Sequence, residues 1–299
     1  MLNPIHLRTL RTVLRTGSFS AAAKELGYTS SAVSQQMSSL EHDARLALFE
    51  RKARSITPTP SAVLLADRSS EVLAMLDDLQ DEVREMVGGQ LGRLRIGSFP
   101  TASEHLLPDV IAQLAEQLPH VRMELEEGEP DALIPLVSDR LLDIALVYEY
   151  DLVPRTWPRN VRRTTLLSED LVLLLPQDHR LADEVDLADL RDDVWISTAP
   201  GSSGSECLLR MCAIEGFVPR VDFRTNDYDV VRRFVGAGLG VALVPQLGAM
   251  ADARTRIARL ASATTQRHII AVQRRVGGSP LAAKALDATV NAASRWSSG

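Results

Sequence analysis

Four polar side chains with the chemistry to read a nucleic acid recur at helical spacing near the N-terminus. Ser31, Ser34, Gln35 and Ser38 are three or four residues apart, so they share one face of a predicted helix. They are small and uncharged, and a glutamine can hydrogen-bond adenine in the major groove through two bonds. The pattern predicts a helix that contacts base edges; the alternative is the solvated face of a three-helix packing module.

Basic side chains follow at Arg51, Lys52 and Arg54, within a segment at 48–60 that is predicted to form a short wing. Residues 1–62 hold eight basic and four acidic residues, a net charge of +4, whereas the remainder holds 25 basic and 35 acidic residues, a net charge of −10. A basic N-terminal region on an acidic body indicates a phosphate-binding module attached to something else. We expect the three basic residues to bind phosphate, which supplies affinity rather than sequence choice.

A second group of polar residues lies mostly where predicted strands give way to helices. In open α/β sheets, ligands bind beyond the carboxyl ends of the strands, and free amides at helix N-termini favour a carboxylate or phosphate. We therefore predict a small-molecule site, although the same side chains can serve as ordinary helix caps and loop residues. The predicted site residues are Ser98, Thr101, Ser103, Tyr148, Thr198, Ser202, Ser203 and Asn226.

Acidic residues crowd the same predicted rim: Glu126, Glu127, Glu129, Glu149 and Asp151. One hypothesis is that the ligand carries an amino group as well as a carboxylate, as an amino acid does. The rival interpretation is a solvated acidic rim without a binding role.

The sequence offers no pattern typical of catalysis, so we expect no enzyme, no metal site and no cofactor. The six histidines have no metal-ligand spacing, and no Gly-x-Ser-x-Gly motif occurs. Cys207 and Cys212 match no zinc pattern, and we expect buried free thiols in a reducing compartment. No run of about 18 apolar residues and no secretory signal is found, so a cytoplasmic chain with no membrane association is expected.

Three helices are expected to position the base-reading face. The first covers 5–16 and ends at Gly17, the second is capped by Ser18 and ends at Gly27, and the third is capped by Thr29 or Ser30. A helix, a tight turn and a following helix are the geometry that places one helix in the major groove.

The segment 62–87 has an apolar residue every seven positions, at Leu65, Val72, Leu79 and Met86. Such a stripe predicts a long helix that pairs with a partner helix, and hence a dimer. The alternative is one long helix packed on its own domain.

From residue 93 the pattern alternates strands with helices, which predicts βαβ architecture. The predicted strands are 94–98, 121–127, 143–148, 162–167, 170–176, 194–198, 220–225, 240–245 and 267–274. The predicted helices are 104–117, 130–139, 203–214, 227–236 and 280–296.

Several local motifs occur together in the first 60 residues. They are Gly17-Ser18-Phe19, Ala22-Ala23, Leu26, Ser34-Gln35, Ser39-Leu40-Glu41, Leu48-Phe49-Glu50-Arg51 and Arg54. Together they resemble the winged helix-turn-helix of LysR-type transcriptional regulators, and the likeness extends over nearly the whole chain. The chain departs from that family's pattern at Ala44-Arg45, where Leu-Gly is usual, and at Pro58 to Ala62, where Leu-Thr-x-Ala-Gly is usual.

The resemblance implies an α/β protein with an N-terminal winged helix-turn-helix at 1–60, a long linker helix at 61–90 and a periplasmic-binding-protein-like α/β domain at 91–299. That domain would divide into subdomain I (91–164 and 267–299) and subdomain II (165–266). The implied partners are double-stranded DNA, a small-molecule effector in the cleft between the subdomains, and further copies of the chain in a homodimer or homotetramer. The alternative function is a cytoplasmic solute-binding or enzymatic α/β protein whose helical head does not bind DNA.

Overall fold

The computed structural model describes residues 2–52, 55–88, 92–261 and 265–296. The chain forms two compact units, Met1–Gln90 and Leu91–Gly299. Each has a hydrophobic core of its own.

The first unit opens with three short helices, α1 (Pro4–Thr16), α2 (Phe19–Leu26) and α3 (Ser30–Ala44). The expected caps are confirmed: the side chains of Ser18 and Thr29 accept hydrogen bonds from the first-turn amides of α2 and α3. Gly27 ends α2 at a φ of 69°, a left-handed conformation that glycine adopts without strain. These caps fix the tight turn between α2 and α3.

The predicted wing is a two-stranded antiparallel hairpin of β1 (Phe49–Lys52) and β2 (Ser55–Pro58). The Glu41 carboxylate of α3 accepts from the backbone amides of Leu48 and Phe49 at 2.8 and 3.1 Å, so it holds the start of the wing against α3. Although Arg45 replaces the usual glycine, it ends α3 in the left-handed region at a φ of 53°.

A 29-residue helix, α4 (Pro60–Gly88), completes the first unit. Thr59 caps it by accepting from the Ala62 amide at 3.2 Å, and Pro60 begins it, so the unusual linker entry still starts a regular helix. The N-terminal half of α4 joins the core of the unit through Ala62, Ala66 and Leu73.

The second unit alternates strands and helices, as predicted. Its first half contains β3 (Arg93–Ser98), α5 (Pro100–His105), α6 (Leu107–Gln117), β4 (Arg122–Glu127), α7 (Pro130–Ser138), β5 (Ile144–Tyr150) and β6 (Val161–Pro176). Its second half contains β7 (Glu184–Val185), β8 (Val194–Ser197), α8 (Ser203–Ile214), β9 (Arg220–Arg224), α9 (Tyr228–Gly236), β10 (Val241–Pro245), β11 (Thr255–Leu260), β12 (Gln266–Arg274) and α10 (Pro280–Trp296).

The strands follow the order β4-β3-β5-β12-β6-β10-β8-β9, with β11 beside β6 and β7 beside β11. Because β6 pairs with β12 along one part of its length and with β10 and β11 along the other, two half-sheets share it. We call β3, β4, β5 and β12 with α5, α6, α7 and α10 the first lobe, and β7 to β11 with α8 and α9 the second lobe.

Some predicted element boundaries were wrong. The two strands expected at 162–167 and 170–176 are one strand, β6, because the polar interruption at Glu169 is accommodated by a buried ion pair with Arg267. The helix expected at 104–117 is two helices, each with a proline in its first turn. Two short strands, β7 and β11, were not predicted.

In the described ranges, no helix is both long and apolar enough to cross a membrane.

Candidate functional site

The outer face of α3 carries the four polar side chains that were predicted to lie there. Ser31, Gln35 and Ser38 are exposed, and Ser34 is half-buried. The opposite face packs inward through the fully buried Val33, Met37 and Leu40. The helix therefore presents an uncharged polar surface from a rigid base.

Neighbouring residues hold α3 in place. Gln36, beside the exposed face, accepts a hydrogen bond from the Thr9 hydroxyl of α1 at 2.6 Å. The rings of Phe19 on α2 and Phe49 on β1 pack edge to face with centroids 5.2 Å apart. The helix-turn-helix and the wing thus form one packed module.

The basic residues of the wing are described only in part. Arg51 and Lys52 lie on β1, but their side chains fall outside the described part of the chain, as does the whole of Arg54. Their contacts with phosphate stay a prediction.

The second unit contains a cleft of about 590 Å³ between its lobes. One wall comes from α5 and the end of β4, and the other comes from the start of α9 and the turn after β10. Its lining is Pro100, Thr101, Ser103, Glu104, His105, Glu127, Asn226, Asp227, Tyr228, Asp229, Arg232, Gly248 and Met250.

A smaller cavity of about 20 Å³, space for roughly one water molecule, lies beside this cleft and shares Pro100, Thr101, Asn226 and Tyr228 with it. Its remaining walls are mainly aromatic and hydroxyl-bearing, with one buried cation. They are Phe99, Glu129, Tyr148, Tyr150, Thr198, Ser202, Gly204 and Arg267.

Arg267 is a deeply buried cation of the second unit, with a side chain only 2% exposed. Its Nε donates to Glu169 Oε1 at 2.6 Å, and its Nη2 donates to Thr101 Oγ1 at 3.1 Å. Its guanidinium carbon lies 5.1 Å from the ring centroid of Phe99 and 5.3 Å from that of Tyr148. Burial disfavours the charged form, but the Glu169 carboxylate outweighs it, so the pKa of Arg267 lies above its usual value.

The phenols around Arg267 stay protonated. Burial, followed by the charge of Glu129, raises the pKa of Tyr148, whose hydroxyl donates to Glu129 Oε2 at 2.5 Å. Burial also raises the pKa of Tyr150 and of Tyr228. These hydroxyls therefore act as neutral hydrogen-bonding groups.

Six of the eight predicted site residues line the cleft or the small cavity: Thr101, Ser103, Tyr148, Thr198, Ser202 and Asn226. Ser98 does not; it is fully buried, and its hydroxyl donates to the Phe99 carbonyl at 3.3 Å. Ser203 lines neither cavity and accepts from Arg155 Nη2 at 3.3 Å.

The predicted acidic rim also lies only partly at the two cavities. Glu127 lines the cleft and Glu129 the small cavity. Glu149 instead accepts from the Trp157 indole at 3.2 Å, and Asp151 lies 2.7 Å from His268 Nε2. Only part of the predicted rim therefore faces either cavity.

Sequence reasoning missed four charged residues that line a cavity or connect the lobes. Arg267 and Glu169 lie within strands, where nothing distinguishes them from surface residues. Arg232 lines the cleft and is paired with Asp229 at 2.7 Å. Arg155 bonds Asp131 at the start of α7 as well as Ser203 at the start of α8, so it bridges the lobes.

Among the described side chains, no group of three or more His, Cys, Asp or Glu residues is arranged to hold a metal ion.

Two family models match the chain, one for each of its two units. Residues 5–63 match the bacterial regulatory helix-turn-helix protein, lysR family, and residues 88–294 match the LysR substrate binding domain. The transcriptional dual regulator GltC of Bacillus subtilis is 32% identical over 219 residues, which cover 72% of this chain and 71% of GltC.

Two solved structures share the fold. A full-length OxyR variant from Pseudomonas aeruginosa superposes with a TM-score of 0.65 at 19% identity, covering 98% of this chain and 95% of OxyR. Full-length CbnR complexed with its target DNA superposes with a TM-score of 0.54 at 21% identity, covering 98% of this chain and all of CbnR. With both parts of the chain matched, the protein belongs to the LysR family of DNA-binding transcriptional regulators.

Proposed function

We propose that this regulator reads its operator with α3 in the major groove and responds to a small carboxylate-bearing metabolite bound in the cleft of the second unit. The observation that carries the proposal is the exposed polar face of α3 at Ser31, Gln35 and Ser38, set on a buried apolar base. An uncharged helix face of this kind suits base edges better than phosphates. CbnR, which shares the fold, is known in complex with its target DNA.

The basic and polar residues of the first unit have different roles in this proposal. Gln35 makes the base contact, with Ser31, Ser34 and Ser38 beside it. Arg51, Lys52 and Arg54 bind the flanking phosphates and provide the salt-dependent part of the affinity. Because its target is genomic DNA, we place the protein in the cytoplasm.

Hydrogen-bond donors at the cleft support a carboxylate-bearing effector. Thr101, Ser103 and Asn226 line it, and the buried Arg267 lies in the adjoining small cavity. Acidic residues also line the cleft at Glu104 and Glu127, which favours an effector that carries an amino group too. Calorimetric titration with amino acids and with plain organic acids separates the two cases, because binding of the plain acids alone would exclude the amino group.

We propose that α4 pairs with a second copy of the chain to form a homodimer, with a homotetramer as the larger assembly. Val72, Met75, Leu79 and Val83 are between 48% and 66% exposed along α4. Their spacing of three and four residues forms a continuous apolar stripe that suits a partner helix. We also propose the domain boundaries given above, with the effector between subdomains I and II.

A gel shift with the DNA upstream of the protein's own gene tests the proposal. The full-length protein should bind this DNA tightly, prefer it to unrelated DNA of equal length, and lose affinity steeply between about 50 and 200 mM salt, as expected for several phosphate contacts. Weak binding that does not distinguish the two DNAs would instead favour a solute-binding or enzymatic protein whose helical head only packs.

A further inference from the structure

A buried ion pair lies where β6 passes from the first lobe to the second. Glu169 on β6 and Arg267 on β12 are direct cross-strand neighbours, and their side chains are 0% and 2% exposed. Charges so fully removed from water are stable only while their partners stay in place.

Each member of the pair is bonded to a different lobe. Arg267 donates to Thr101, in the first turn of α5 in the first lobe, at 3.1 Å. Glu169 Oε2 accepts from the backbone amide of Leu247, in the turn after β10 of the second lobe, at 2.5 Å. A continuous series of hydrogen bonds therefore connects the two walls of the cleft, running from Thr101 through Arg267 and Glu169 to Leu247.

The lobes also approach each other closely at this point. A Cβ atom added to Gly248, next to Leu247, would lie 3.1 Å from Thr101 Cγ2 and 3.1 Å from the Tyr228 ring. Such distances are tighter than nine in ten real Cβ contacts, so a side chain here would displace Thr101 or Tyr228 by a few tenths of an ångström.

We propose that the series Thr101–Arg267–Glu169–Leu247, here called the latch, controls the equilibrium between the arrangement seen here and one with a wider cleft. Separating the lobes breaks a charge-assisted bond to Leu247 or Thr101 and leaves a buried polar group without its partner. The lobes therefore separate in one discrete step.

The effector reaches the latch through Thr101. This side chain lines the large cleft, so a ligand bound there lies beside the first member of the series. A ligand that prefers one arrangement shifts the equilibrium by its difference in affinity. This second part rests on the proposed function, whereas the latch itself does not.

The test uses the full-length protein without effector. Spin labels attached through Glu126→Cys on β4 and Arg233→Cys on α9, both exposed sites, report the distance between the lobes. The native Cys207 and Cys212 are buried and should not take the label. Hydrogen exchange at the Leu247 amide reports the bond to Glu169 directly.

Two conservative variants weaken the latch in different ways. Thr101→Val keeps the shape of the side chain but removes the bond to Arg267, and Gly248→Ala places a methyl group between the lobes. In each variant we expect a second, longer population of label distances and at least about tenfold faster exchange at Leu247. Thr289→Val is the matched control, because this buried threonine donates within α10, to the Ala285 carbonyl.

A change in Thr101→Val, with the control unchanged, supports the latch, and Gly248→Ala shows the distance that separated lobes give. Wild-type distances and exchange rates in Thr101→Val would overturn it. A gel shift of the same variants distinguishes failure of the latch from failure of the proposed function. If the variants bind the operator specifically and their cleft is unchanged, the latch is refuted but the proposed function is not.

Discussion

The two units build their functional surfaces in opposite ways. In the first unit, the polar face comes from one helix, and its residues lie within eight positions of one another. In the second unit, the groups around the cleft come from distant parts of the chain, since Arg267 bonds Thr101 across 166 positions and Glu169 across 98. The first surface is set by local periodicity, whereas the second depends on how the strands are ordered.

DNA binding by the first unit should depend strongly on dimerisation. The substitution Leu79→Asp on α4 places a charge on the proposed helix pairing, and we expect a monomer with roughly 100-fold or greater loss of operator affinity, because two linked heads bind far better than one. Analytical ultracentrifugation and a gel shift measure the two effects. Gln80→Asp, at the exposed neighbouring position, is the control for the added charge, and a dimeric Leu79→Asp protein would contradict the pairing.

The difference between the units explains which predictions succeeded. The caps at Ser18 and Thr29 and the outward positions Ser31, Gln35 and Ser38 all follow from rules that span one or two helical turns, and the structure confirms them. Six of the eight polar residues predicted around strand ends line a cavity, because strand ends can be recognised from the local pattern.

Non-local pairing explains the failures. Glu169 fell in the gap between two predicted strands, and its partner Arg267 lies 98 residues away along the chain. Ser98 has the right residue type at a strand end, yet it is fully buried. No local pattern distinguishes a serine that faces a cleft from one that is covered.

A left-handed arginine in each unit offers a paired comparison. Arg45 after α3 and Arg140 after α7 have φ values of 53° and 64°. Arg45 is exposed, so Arg45→Gly should relieve backbone strain and stabilise the first unit by about 1 kcal/mol. Arg140 is 9% exposed and donates to the Gly277 carbonyl, so Arg140→Gly should destabilise the second unit.

Denaturant unfolding, monitored by hydrogen exchange, assigns each change in stability to one of the two units. Equal effects of the two substitutions would show that backbone strain alone governs both sites.

The thiols of the second unit provide a smaller test of how closely its core is packed. Burial raises the pKa of Cys207 and of Cys212 to about 12. Both should therefore resist alkylation at about pH 8 in the folded protein and react only after unfolding. Since the folded state favours the protonated thiols, their contribution to stability should decline as the pH rises above about 8.5, the usual thiol pKa. Rapid labelling of the native protein, followed by mass spectrometry, would contradict a closed core.

The central claim is that the exposed face of α3 reads bases, and Gln35→Ala tests it most directly. Fluorescence anisotropy is measured with operator DNA and with unrelated DNA at one salt concentration. Gln117→Ala, the same change at an exposed site on α6, serves as the control. Loss of the amide should weaken binding to the operator by about 1–3 kcal/mol, roughly 5- to 150-fold in affinity, with little effect on unrelated DNA. An equal loss on both DNAs, or no loss on either, would contradict the account.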